Sequence, residues 1–428
     1  MKLLKTIIHA LKGLFRNPNR GRKIGIFLAV TIVFCILCII FSFIVKNAIL
    51  QLVIRWLWIP LSILFLIMRH GEILTRRNFE HFFLQINHIG YDGNTPDYVY
   101  TIPHNQYLSK ICFKSNIPYD EWLKKKSVIE MFLKTKIYKI KNLEEDITVV
   151  NIFYVEEKLP TYIEWNDSHL IKNSRNFAIG ESYGERVIWD VENLQPHGIV
   201  AGATGGGKTG ILRCLIHQAI QKRFNVSVIN MVVGGDYAEF EKEYRKYKDI
   251  ENGQDSMIVS EPEKALELLR ALKIEVDGRM EMYKKNDVKN IDEYNKKCRG
   301  IYQVPWLVVI DEAAEILDVK PKDPELKKIY TEIDSLLRPL MRTSRKAGLM
   351  FIMGIIRPDS NVLDGQIKNN MAFRASSYIP DPAASRIILD NDLASKLPTN
   401  IKGRFIVGDE ECQAYYLPTP EERNNQDE

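Results

Sequence analysis

Gly202, Ala203, Thr204, Gly205, Gly206, Gly207, Lys208 and Thr209 match the spacing GxxxxGK[ST] without a mismatch. Glycines in such a run reach positive φ, so the backbone N–H groups can turn inward around an anion. At this spacing Lys208 would reach the β- and γ-phosphates of a nucleotide, and the Thr209 hydroxyl would ligate Mg2+. ATP with Mg2+ is therefore the expected occupant. Gly210 opens an amphipathic stretch to about Gln221, a helix whose N-terminus would face the same charge. The second half of such a site is an acid at the end of a buried strand. "WLVVIDEAAEIL" supplies it: Trp306 to Ile310 lead into Asp311 and Glu312. Asp311 would hold Mg2+ through water, and Glu312 would orient and deprotonate an attacking water. A carboxylate directly after the magnesium aspartate favours hydrolysis over a regulatory nucleotide switch.

These residues need a scaffold, and the surrounding sequence has the pattern of one. "HGIVAG", "NVSVINMVV", "WLVVIDE", "GLMFIMGII" and "MAFRASSYI" are short apolar runs separated by longer charged amphipathic stretches. Strands alternating with helices imply a parallel sheet covered on both faces. Residues 71–180 read as a small α+β adaptor. Within it Asp120 is the expected N-cap of a helix over 118–135, with Trp122, Val128, Ile129, Phe132 and Leu133 along one face, and "DITVVNIFYV" reads as a strand. The adaptor holds no convergent set of His, Cys or carboxylates. Residues 181–418 form the expected ATPase domain, and residues 419–428 a polar, disordered tail.

The charge is unevenly placed. The chain of 428 residues carries a net +5, with 46% apolar and 26% charged residues. Residues 1–70 hold ten of the 59 Lys and Arg and no acid, which leaves 49 bases against 54 acids, or −5, over residues 71–428. The basic balance is thus a property of the N-terminus and no sign of general nucleic-acid affinity in the remainder. "IGIFLAVTIVFCILCIIFSFIV" (24–45) is long enough to span a bilayer, and a second apolar run over 48–68 is interrupted by Arg55 and Pro60. Residues 24–70 therefore read as a transmembrane helical hairpin after a basic N-terminus of residues 1–23. Flanking arginines and lysines place both ends, and the ATPase domain, in the cytoplasm of a multi-pass cell-membrane protein. The run lacks a small-residue cleavage site, so an uncleaved anchor is expected.

Six cysteines follow no metal-ligand spacing; Cys35 and Cys38 lie inside the apolar run, and Cys112, Cys214, Cys298 and Cys412 are scattered. The basic clusters Arg245–Lys248 and Lys320–Lys328 read either as contacts to a polyanion or as solvated helix faces.

Over about residues 185–410 the ordered set of motifs resembles the FtsK/SpoIIIE family of DNA-translocating ATPases. The segments that carry it are "DVENLQPHGIVAGATGGGKT", the stretch with Arg279, Tyr283, Asn290, Ile291, Tyr294 and Asn295, then "LVVIDEAAEIL", "RKAGLMFIMGIIRP" and "SRIILD". The resemblance implies a hexameric ring that passes DNA through a central channel, with an arginine supplied in trans; Arg342, Arg345, Arg374 and Arg386 are the candidates. Three departures stand out. Ile355 and Ile356 precede Arg357 and Pro358 where the family has a polar Thr-Gln pair. "VGGD" (233–236) replaces Asp-Pro-Lys, and "IKNNMAFRASS" is shorter than its counterpart. The short anchor and the end of the chain soon after the core resemble the coupling proteins of Gram-positive conjugative elements, which deliver relaxase-bound DNA to a secretion channel. Chromosome segregation on double-stranded DNA and protein secretion are the alternatives. The fold class expected is α/β: a P-loop NTPase (RecA-like) parallel sheet flanked by helices, preceded by the hairpin and the small α+β domain.

Overall fold

The structure, a computed structural model, describes residues 72–420 and Glu422, except residues 194, 233–236, 249–255, 299–300, 360–361 and 421, together with Ile36, Leu37, Ile40 and Trp56. The hairpin of residues 24–70, apart from those four positions, the "VGGD" departure and most of the polar tail lie outside the described residues. Among the described residues no helix is long and apolar enough to cross a membrane. The chain divides into two compact units, Met1–Lys158 and Leu159–Glu428. That division falls about twenty residues before the expected boundary at 180/181, because the strands between 163 and 189 join the larger sheet.

In the first unit α1 (Glu72–Gln85) precedes β1 (Asp97–Pro103), β2 (Leu108–Lys114), α2 (Tyr119–Lys124), α3 (Lys126–Leu133), β3 (Ile137–Asn142) and β4 (Val149–Val155). The strands form an antiparallel sheet in the order β1-β2-β4-β3. Its core is aromatic: Phe83 meets Phe113 and Trp122 edge-on at ring-centroid distances of 5.3 and 5.5 Å. The helix expected over 118–135 is two helices joined at Lys125. The N-cap is Pro118, whose backbone is already extended at ψ 146, and Asp120 falls inside the first turn, where its charge opposes the helix dipole favourably.

The second unit is built on an 11-stranded mixed sheet. Its strands are β5 (Ile163–Glu164), β6 (Phe177–Ser182), β7 (Arg186–Trp189), β8 (His197–Ala201), β9 (Asn225–Ile229), β10 (Ile258–Val259), β11 (Trp306–Ile310), β12 (Leu349–Ile355), β13 (Met371–Ser376), β14 (Arg404–Val407) and β15 (Glu410–Tyr416). Along β10-β9-β11-β12-β8-β13 the strands run parallel, and all five expected runs lie there. From β13 the sheet continues antiparallel through β14, β15, β6 and β7, with β5 beside β15. The sheet is therefore not wholly parallel. The two added pairs, β6–β7 and β14–β15, are hairpins with turns too short for a parallel crossover, and Gly408 at φ 62 sits in the second turn.

The helices are α4 (Lys208–Gln221), α5 (Ala238–Lys248), α6 (Pro262–Lys285), α7 (Ile291–Lys297), α8 (Ala314–Leu317), α9 (Pro324–Thr343), α10 (Gly365–Asn370) and α11 (Pro382–Leu389). Period-two alternation decides which face each strand residue serves. Leu307, Val309 and Ile352 pack with Leu212, Leu215 and Ile216 of α4, whereas Val308, Ile310 and Phe351 pack with Leu269 and Leu272 of α6 and Leu337 and Leu340 of α9. Each such side chain, fully buried, contributes about 1.5–3 kcal/mol. Gln218 of α4, fully buried, donates to Ala178 O at 2.8 Å and accepts from Ala178 N at 3.0 Å, which ties the helix to β6.

Candidate nucleotide site

At the end of β8 the chain turns through Gly202 and runs by way of Thr204 and Gly205, both exposed, to the start of α4 at Lys208. Four hydrogen bonds hold this loop, three of them to other segments. Gly202 N donates to Ile355 O (3.1 Å), Ala203 N to Tyr378 O (3.2 Å), Gly206 N to Ala203 O (2.9 Å) and Gly403 N to Gly206 O (3.1 Å). Gly207 has φ 104, and a Cβ there would stand 2.8 Å from Gly403 N, so no other residue fits. As the N-cap it offers no side chain to the first N–H groups of α4, and no acid occupies the first turn. The helix start therefore presents unsatisfied donors and positive potential to an anion.

β11 delivers the acids opposite. Asp311 N donates to Ile229 O at 3.0 Å, and Ala313 N to Gly354 O at 2.8 Å, so the acid pair is anchored to both neighbouring strands. Lys208 Nζ donates to Asp311 O at 2.8 Å and to Glu312 Oε2 at 3.1 Å, with Asp311 Oδ1 at 3.5 Å. The other hold on Glu312 is Ile356, whose N–H donates to Oε2 at 3.1 Å. Lys208 is thus brought against Asp311 and Glu312, with the rest of Gly202 to Gly210 in the same loop and helix start.

The residues present fit both ATP and Mg2+. Asp311 Oδ1 is buried and makes no hydrogen bond, only the 3.5 Å ion pair with Lys208, so it keeps acceptor capacity that a second cation would satisfy. Among the described residues no group of three or more His, Cys, Asp or Glu could hold a metal. Mg2+ needs none, because it is commonly bound through one or two protein oxygens with phosphates and water completing the shell.

Several contributors have no signal in the motif. Gly354 lies against the Asp311 carbonyl and Lys208 Cδ. Ser377, the residue after β13, fills the space beside Gly202 and Gly206, where an added Cβ would stand 1.8 and 2.2 Å from its Oγ. The Ile356 amide is backbone and invisible in any residue pattern.

Other singled-out residues serve structure. The buried Arg279 donates to Val304 O and Ala347 O, both at 2.9 Å, and so fixes the entries to β11 and β12. Tyr283 and Tyr294 pack at 5.4 Å, Asn290 caps α7, and Asn295 exchanges hydrogen bonds with Gln303. Of the four arginines, Arg345 donates to Asn193 O, Arg374 pairs with Asp390, and Arg386 stands 4.0 Å from Asp392. Arg342, which forms no ion pair among the described residues, is exposed at a cavity of about 460 Å³ shared with Arg338, Gln366 and Asn370. The basic clusters are partly neutralised by their own neighbours, Arg245 by Glu241, Lys320 by Asp318 and Lys328 by Glu325. Among the described residues Cys112, Cys214, Cys298 and Cys412 are free thiols, the first, second and fourth buried.

A parallel α/β sheet with a glycine loop and its lysine after β8, and an acid pair at the end of β11 one strand away across β12, defines a P-loop nucleoside triphosphatase. The family model "FtsK/SpoIIIE family" matches residues 161–358. The chain is similar to a DNA translocase FtsK of Clostridium tetani (strain Massachusetts / E88), 31% identical over 278 residues, covering 59% of this chain and 35% of the relative. A DNA translocase FtsK of Borreliella burgdorferi is 30% identical over 227 residues, covering 52% and 27%. The chain spans about a third of the length of these relatives. A solved structure, the pCW3 conjugation coupling protein TcpA in monomer form with ATPγS, aligns with TM-score 0.58 at 30% identity over 82% of this chain and 99% of that one. The chain belongs to the FtsK/SpoIIIE family of P-loop ATPases.

Proposed function

We propose that this protein is a membrane-anchored, ATP-driven DNA translocase that acts as the coupling protein of a conjugative transfer system. One observation carries the choice within the family. The FtsK relatives cover little more than half of the chain, whereas the likeness to TcpA covers 82% of it and nearly all of TcpA. That is more than the 270 residues of Leu159–Glu428, so it includes part of the N-terminal unit, which a motor alone does not explain.

In this reading Lys208 and the loop N–H groups bind the β- and γ-phosphates. Thr209 and Asp311 would hold Mg2+, which neutralises phosphate charge and orients the triphosphate. Glu312, held by the Ile356 amide, accepts a proton from water as the new oxygen–phosphorus bond forms and the bond to the ADP oxygen breaks. Each motor is one subunit of a homo-hexameric ring, with an arginine supplied by the adjacent subunit and DNA in the channel. The hairpin of residues 24–70 anchors the ring at the cell membrane with the motor in the cytoplasm, beside relaxase and secretion-channel proteins. Lys208→Ala should abolish DNA-stimulated hydrolysis and transfer while membrane insertion persists; transfer at wild-type frequency overturns the reading. A chromosome-segregation translocase is the second reading, favoured by the similarity to the FtsK DNA translocases. Gene disruption separates the two: loss of conjugation with normal division supports coupling, and trapped chromosomes support segregation. Turnover indifferent to DNA would favour a protein-secretion ATPase instead.

A further inference from the structure

Bound at this loop, a nucleotide must leave it in one direction. With the terminal phosphates bound at Lys208 and Mg2+ at Thr209 as proposed above, the α-phosphate and the nucleoside would pass the next residue of α4, Gly210. A Cβ at Gly210 would lie 3.6 Å from Cδ2 and 3.9 Å from Cε2 of Tyr416, so the ring of Tyr416 sits directly against the first turn of the helix. Tyr416 closes β15 and is half-buried, whereas its neighbours Tyr415 and Leu417 point into the core. Beside it lies Tyr162, 48% exposed, with ring centroids 5.6 Å apart and planes inclined at 54°.

Neither ring is placed there to fill the core. The β5–β15 pairing fixes their proximity, since Tyr416 is in register with Glu164 and Trp165 N donates to Tyr416 O at 2.8 Å. Both hydroxyls are already engaged. Tyr416 Oη donates to the Glu422 carboxylate at 2.7 and 2.9 Å, and Tyr162 Oη to Glu164 Oε2 at 3.2 Å. Burial first, and these carboxylates next, push both phenols up to about 12, so the rings stay neutral. What remains to meet a ligand is the aromatic surface, next to a glycine that keeps the approach low.

We propose that Tyr416 and Tyr162 form the platform for the nucleoside base, one ring stacking on it and the other meeting its edge, and that the pair favours a purine over a pyrimidine. The inference rests on the phosphate-loop reading above. Two inclined rings offer more surface than a single-ring base covers, and stacking strength follows the overlapped area.

The test is calorimetric titration of the full-length protein with ATPγS, CTP and inorganic tripolyphosphate, the last having phosphates but no base. Tyr416→Ala should weaken ATPγS binding about tenfold and narrow the preference for ATPγS over CTP, with tripolyphosphate binding unchanged. Tyr162→Ala should act in the same sense, and Tyr416→Phe should recover most of the loss because the ring is retained. ATPγS binding at wild-type strength in the double variant overturns the proposal. So does an equal loss for tripolyphosphate and ATPγS in both single variants, since the tyrosines would then only support the loop. Wild-type protein that binds neither ATPγS nor tripolyphosphate would remove the phosphate-site reading itself, and the platform with it.

Discussion

Gly354→Ala, a change of one methyl group, should disable the site from beneath. A Cβ at Gly354 would lie 2.0 Å from Asp311 O, 3.0 Å from Asp311 C and 3.1 Å from Lys208 Cδ. A carbon and an oxygen do not approach closer than about 3 Å, so the methyl requires a displacement on the order of 1 Å. No side-chain rotation relieves the first two contacts, because both atoms are main chain. Asp311 O is also the acceptor for Lys208 Nζ, and Gly354 O anchors Ala313, so the displacement falls on the acid pair and the lysine together. Overpacking of this kind costs about 1–3 kcal/mol of stability. A misplacement of about 1 Å among reacting groups costs about 100-fold in rate. Gly354→Ala should therefore fold, melt at a lower temperature and hydrolyse ATP about 100-fold more slowly, measured with saturating DNA. Gly278→Ala is the control: on α6 a Cβ at that position meets nothing within 4 Å, and the change should stabilise by about 0.5–1 kcal/mol. Gly354→Ala turning over within twofold of wild type would refute the reasoning.

Glu312→Gln should bind ATP at least as well as wild type and lose about 100-fold or more of its turnover, since the carboxylate that takes the proton is gone while the amide keeps its shape; wild-type turnover would show that another group is the base. Acid should destabilise the larger unit through His197, which is buried in β8 and accepts from Phe351 N at 3.1 Å. Burial lowers its pKa to about 4, so between about 6.5 and 4 the unfolded chain takes up a proton that the folded chain refuses. Stability is then complete above about 6.5 and falls by about 3 kcal/mol as pH drops to 4, and chemical denaturation at stepped pH measures it. His88, caged by Phe83 and Trp122 and lowered to about 4 chiefly by burial, should act with the same sign in the first unit.

The phosphate loop, its lysine and the acid pair were legible because their chemistry is local. GxxxxGK[ST] specifies a backbone path and a cation within eight residues, and five apolar residues before two acids specify a strand that delivers them. The same holds for five of the six parallel strands, whose apolar runs are buried on both faces. Tertiary structure alone decided what surrounds them. The antiparallel extension carries little sequence signal because the apolar runs within β6, β7, β14 and β15 are only three residues long, each beside polar residues or glycine. Gly354, Ser377 and the Ile356 amide act through contact across strands distant in sequence, and a glycine or a main-chain N–H carries no pattern to read. Tyr162 and Tyr416 are 254 residues apart and meet only because β5 pairs with β15. Sequence sets which groups can do chemistry, and the fold sets which of them share a few ångströms, since that proximity is fixed by long-range pairing and by packing against residues that carry no chemical signature of their own.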